Sequence, residues 1–118
     1  MHAQPHYLEI VTPDVETVCA MYAEVHGLAF DAADSDLGEA RVAVLPGGSR
    51  LGIRAPLRDD EGPLWRIYLR VDDLERATAA AREAGGEVAL DGIRLGGAHG
   101  RISIVLCGGV EHGLWQLD

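Results

Sequence analysis

Eight residues in four short segments carry side chains that could do chemistry together: Tyr7 and Glu9, Arg50 and Arg54, Arg66 and Tyr68, Glu111 and Trp115. In each segment the pair stands an even number of positions apart, so an extended chain puts both on one face. Guanidinium groups bind carboxylate or phosphate through paired N–H donors. Tyr7, Tyr68 and Trp115 add stacking surface with polar tips. Glu9 and Glu111 are the candidates for acid–base work, with Tyr7 as a further catalytic candidate and Tyr68 as a proton donor. Two readings stand side by side. The set is a pocket for an anionic or partly aromatic small molecule, or it is a polar face whose arginines pair with Glu9 and Glu111 under solvent or a dimer partner.

The segments that hold these residues read as strands. HYLEIV and WRIYLRV alternate polar and apolar residues, the pattern of a half-buried strand. The complementary positions, Leu8, Ile10, Leu51, Ile53, Ile67, Leu69, Val71, His112 and Leu114, are nearly all aliphatic and are expected to pack beneath helices. Arg41 and Arg101 extend the polar set, at positions where the strand register is less fixed.

Each alternating strand is followed by a helical pattern. In TPDVETVCAMYAEVHG, Thr12 is placed to cap, Pro13 suits the first turn and Gly27 the stop. In VDDLERATAAAREAGG, Asp72 and Glu75 have capping-box spacing, with Leu74, Ala77, Ala81 and Ala84 as the buried stripe. The two halves repeat. Asp14, Glu16, Glu24 and Gly27 recur as Asp73, Glu75, Glu83 and Gly86, and the turn glycines Gly47 and Gly48 recur as Gly108 and Gly109. The expectation is strand, helix and three strands in each half. Strands fall near 6–11, 28–33, 39–45 and 49–55, then near 64–71, 87–91, 100–107 and 111–117. Helices fall near 13–26 and 73–84. The polar stretch PLRDDEGP, 56–63, reads as the linker between modules of about 1–57 and 64–118.

Bulk composition narrows the function classes. A chain of 118 residues with 47% hydrophobic residues can bury a core, and its net charge of −9 argues against nucleic acid or anionic membrane as partners. All ten basic residues are arginine, so Schiff-base chemistry on a lysine is excluded. Cys19 and Cys107 form no C-x-x-C pair and read as buried free thiols. The first ten residues show no basic region before an apolar run, which predicts no secretory signal and, by default, a cytoplasmic location. Nucleotide-loop and nucleophile-elbow motifs are missing.

A strand, an acidic helix start, a helix ending in Gly and a closing G-x-W-Q stretch, carried by Asp14 to Gly27, Val71 to Gly86 and Gly113 to Gln116, resemble the glyoxalase/bleomycin-resistance/dioxygenase (vicinal oxygen chelate) superfamily. The resemblance covers nearly the whole chain. It implies one α+β domain of two tandem βαβββ modules, a curved mixed sheet around a concave pocket, helices on the outer face, and a homodimer. Enzymes of that superfamily carry a metal ligand on each of four strands. Here those positions land on Tyr7, Gly52, Arg66 and Gly113, none of them a His, Glu or Gln. His6 lies one residue off, and a one-residue slip would turn it to the other face. The expectation is therefore a metal-independent small-molecule-binding protein with no cofactor. The alternatives are a metal-dependent lyase, isomerase or dioxygenase of the same superfamily, and a protein-interaction module. His99, in the glycine-rich GGAHG loop, either folds over the pocket mouth or is solvated.

Overall fold

The alternation and the two helical stripes produce nine main elements in the computed structural model, which describes residues 3–118. They are β1 (Gln4–Val11), α1 (Val15–His26), β2 (Arg41–Val44), β3 (Arg50–Arg54), β4 (Leu64–Arg70), α2 (Leu74–Glu83), β5 (Glu87–Leu95), β6 (Gly100–Cys107) and β7 (Val110–Gln116), with a short 3-10 turn at Ser35–Leu37. The fold is α+β, with two helices and seven strands of mixed sheet. The chain divides into two compact units: Tyr7–Trp65, and Arg66–Asp118 together with the residues up to His6. The break falls inside β1 and β4, not within the 56–63 linker.

In the unit Tyr7–Trp65, β1 runs parallel to β3 and β2 runs antiparallel to it. Ile10, Leu51 and Ile53 pack with Cys19 of α1, flanked by Leu8, Val15, Val18 and Tyr22. The face read as aliphatic therefore lies under the helix, and Tyr7, Glu9, Arg50, Gly52 and Arg54 point away from it. Gly27 closes α1 at φ 67°, donating its N–H to the Ala23 carbonyl. Thr12 is not the cap. Asp14 holds that position without a capping side chain, and the Thr12 hydroxyl accepts from the Asp14 N–H at 3.1 Å.

The expected strand at 28–33 does not form. Asp34 accepts from the N–H of Asp36 at 2.9 Å, and Gly38 and Glu39 both adopt positive φ. An Asp side chain closing its own turn competes with a ladder. Among the described residues only an Asp31 N–H to Val42 carbonyl bond and the Asp34–Ala40 bridge remain of the pairing.

In the second unit β4 runs parallel to β7, which pairs antiparallel with β6, and β6 with β5. β5 runs to Leu95, longer than expected, through two register shifts. Asp73, not Asp72, caps α2, accepting from the Arg76 N–H. The helix buries Leu74 and Thr78, whereas Ala84 is exposed. Thr78 replaces part of the alanine stripe because its hydroxyl has partners. It donates to the Leu74 carbonyl at 2.6 Å and lies 2.9 Å from the Ser103 hydroxyl, which accepts from the Gly92 N–H at 2.9 Å. With the Thr78 proton on Leu74, the Ser103 proton points at Thr78, and the chain is complete. Ser103→Ala is expected to lower stability by about 1–3 kcal/mol, because it strands the Gly92 N–H and half the Thr78 hydroxyl. Urea denaturation measures it, and an unchanged midpoint would show that water replaces the hydroxyl.

Two residues of the expected core face are not covered. Ile67 of β4 is 49% exposed because α2 sits over β5, β6 and β7, and His112 is exposed near the β6–β7 turn, its Nε2 3.1 Å from the Cys107 carbonyl. Arg41 and Arg101 leave the polar set. Arg41 pairs with Ile53 and reaches Glu16 of α1, and Arg101 shares its strand face with Ser103 beneath α2.

Candidate functional site

Strand parity sends Tyr7, Glu9, Arg50 and Arg54 to one face of the first unit, and a buried ion cluster forms there. Arg54 donates Nε to Glu9 Oε2 at 2.8 Å and its two terminal nitrogens to the two Glu61 oxygens at 3.0 and 2.8 Å. It also donates to the Ala55 carbonyl at 3.2 Å. All three charged side chains are buried, at 7–8% exposure. Burial pulls the Arg54 pKa down, but the Glu61 hydrogen bonds and the Glu9 charge outweigh it, and the pKa is raised. Glu61 belongs to the linker stretch and also accepts from the Leu57 N–H at 2.7 Å. Nothing in the spacing of Asp59, Asp60 and Glu61 singles it out; only its fit to the guanidinium fork does.

The second unit repeats the arrangement in a simpler form. Arg66, 5% exposed, donates Nε and a terminal nitrogen to Glu111 Oε1 at 3.2 and 2.5 Å. Trp115 donates its indole N–H to the His99 carbonyl at 2.7 Å, so the GGAHG loop does reach this face. The Trp115 ring meets His6 at 4.9 Å and Tyr68 at 5.4 Å, both edge-on. Trp115 and Tyr68 are 3% and 4% exposed.

The two glycines on these faces have a shared explanation. A Cβ on Gly52 would stand within the hydroxyl end of Tyr7, and a Cβ on Gly113 within the ring of Tyr68. Tyr68 lies directly beside Gly113, whereas Tyr7 pairs with Arg50 and reaches two residues along to Gly52. Each tyrosine fills the space a side chain would need at a position to which the resemblance assigns a metal ligand.

That superfamily's metal does not fit this residue set. The four positions offer a phenol, a guanidinium and two glycines, while the neighbouring carboxylates, Glu9 and Glu111, are held by arginines. Among the described residues no group of three or more His, Cys, Asp or Glu side chains could hold a metal ion.

Of the eight candidates, Arg50 differs. It is exposed, its guanidinium makes no hydrogen bond or ion pair among the described residues, and it lines a pocket of about 150 Å³ with Asp31, Asp34 and the β2 valines. The cysteines are placed apart. Cys19 is buried and burial pushes its thiol up. Cys107 is exposed, not buried, because it ends β6 at the hairpin turn.

No protein-family model and no curated protein matches the chain. Solved structures do. A methylmalonyl-CoA epimerase from Mycobacterium tuberculosis is 22% identical with TM-score 0.76, covering 98% of this chain and 88% of its own. A Streptomyces coelicolor methylmalonyl-CoA epimerase in complex with 2-nitronate-propionyl-CoA is 20% identical with TM-score 0.75, covering 100% and 99%. A hypothetical protein from Bacillus halodurans reaches TM-score 0.78 at 15% identity, covering 100% and 96%. The chain has the fold of these proteins.

Proposed function

We propose that this chain is a small-molecule-binding protein of the vicinal oxygen chelate type that works without the superfamily's metal. The observation that carries the reading is the pair of tyrosines over glycines, Tyr7 on Gly52 and Tyr68 on Gly113. A fold that keeps the four strands but closes two ligand positions with aromatic rings has lost the means to polarise substrate oxygens. The polar and aromatic residues of that face are nearly all buried, so they shape it from beneath, and contact with a ligand falls to the exposed Arg50 and the partly exposed Glu111. Arg54 and Arg66 already have carboxylate partners, so their part is to fix that surface. Of the eight residues, Arg50 has the guanidinium left to meet a ligand's anionic group. A homodimer in the cytoplasm, with neither nucleic acid nor membrane as partner, completes the proposal. Among the described residues no helix is long and apolar enough to cross a membrane.

Elemental analysis of the purified protein, with thermal-shift scans against divalent metals, tests it. The expected result is metal far below one equivalent and no metal-induced shift. Small ligands should raise stability instead, by about 2.7 kcal/mol at a hundredfold excess over Kd. Near-stoichiometric metal would overturn the reading in favour of a metal-dependent lyase, isomerase or dioxygenase, especially with chelator-sensitive exchange of the α-proton of methylmalonyl-CoA, the ligand of one structure with this fold.

A further inference from the structure

The two units follow one plan except after the first helix. Where the second unit has the nine-residue strand β5, the first has the 28–40 loop with its 3-10 turn. That loop makes a pocket. Asp31, Asp34 and Leu37 come from it, and Val42, Val44 and Arg50 come from β2 and β3. Val42 and Val44 pair with Gly52 and Arg50, so they share the face turned away from the helix.

The charges are arranged with opposite signs on a single apolar wall. The Arg50 guanidinium has no partner among the described residues. Asp31 is held by its backbone alone, donating N–H to Val42 and accepting Arg41 Nε at its carbonyl, which leaves its carboxylate without a partner among the described residues. Arg41 is itself neutralised by Glu16 at 2.7 Å. A pocket that collapsed on itself would have closed an Arg50–Asp31 ion pair; none within 4.0 Å forms.

We propose that this pocket is a subsite for a small zwitterion, an amine and a carboxylate joined by a short hydrocarbon, of the α-amino acid type. The carboxylate meets Arg50, the ammonium meets Asp31 with Asp34 beside it, and the hydrocarbon lies on Val42, Val44 and Leu37. The pocket, about 150 Å³, is open to solvent on one side, so it admits such a headgroup while a longer side chain extends outward. The inference rests on the small-molecule reading above and names the chemistry of one end of its ligand.

Glycine, L-alanine and L-valine are the probes, titrated into 15N-labelled protein, with acetate and methylammonium as the separated halves. Saturable amide shifts are expected within 31–37 and 42–50, with the amino acids binding more tightly than either half. Arg50→Gln and Asp31→Asn should each weaken that binding about tenfold or more. The subsite is overturned if acetate or methylammonium alone binds as well as the amino acids, or if both variants leave affinity unchanged. Shifts confined to amides around Tyr68, Glu111 and Trp115 would sink the subsite and leave the small-molecule reading standing. No shift anywhere with these probes, alongside stoichiometric metal, would sink both.

Discussion

Arg54→Ala is expected to destabilise the protein by about 3–5 kcal/mol, the largest effect of any substitution on this face. The variant removes one cation and leaves two carboxylates, Glu9 and Glu61, in a setting where each is at most 8% exposed. A buried carboxylate that loses a counter-charge bears more of its desolvation penalty. Two such groups also repel each other. The loss should narrow as pH falls, because a protonated carboxyl needs no cation to remain buried. Guanidinium denaturation across a pH series measures both effects. A deficit that ignores pH would mean that packing of the arginine stem, not its charge, holds the cluster. Arg66→Ala is the internal comparison. Its partner Glu111 has a side chain 38% exposed, can turn to water, and should leave a smaller deficit.

Gly113→Ala is expected to cost about 1–3 kcal/mol, and more than Gly52→Ala. The new methyl on Gly113 would press on the base of the Tyr68 ring, with Cγ at 2.5 Å and Cε2 at 2.7 Å. Those atoms stand close to their own backbone and cannot swing away without moving β4. At Gly52 the collision is with the hydroxyl end of Tyr7, which can shift by rotating the side chain. A double-mutant cycle with Tyr68→Ala should show a coupling energy of about 0.5–3 kcal/mol, since the methyl then has room. Trp115 lies against Tyr68, so its fluorescence should change in Gly113→Ala. Equal costs at the two glycines, with no coupling, would mean that the rings are not what keeps these positions glycine.

Arginines on this face do not make it a positive surface. Arg54 with Glu9 and Glu61, and Arg66 with Glu111, are neutral or acidic as groups, so an anion gains little from them. In the proposed reading the preference for an anionic group narrows from three arginines, Arg50, Arg54 and Arg66, to Arg50.

Period-two alternation, the two helical stripes and the repeated Gly-Gly turns follow from local sequence, because each is a property of neighbouring residues and side-chain direction. The resulting faces hold in the structure: Leu8, Ile10, Leu51 and Ile53 lie under α1, and Tyr7, Glu9 and Arg54 oppose them. The Arg–Glu pairing on that face was also readable as one of two alternatives. Other features required the folded chain. Residues 28–33 carry strand-like spacing, but an Asp34 side chain satisfying its own turn ended the strand. Glu61 became the second partner of Arg54 only because the linker bends back onto β3, a long-range approach that no local pattern encodes. Ile67 looked like core and is half exposed, since where α2 comes to rest decides which strands it covers. Alternation set which way the side chains of β1, β3, β4 and β7 point, though not those of Arg41 and Arg101; tertiary packing decided what each meets, because a partner's position depends on loop closure and helix placement rather than on alternation along a strand.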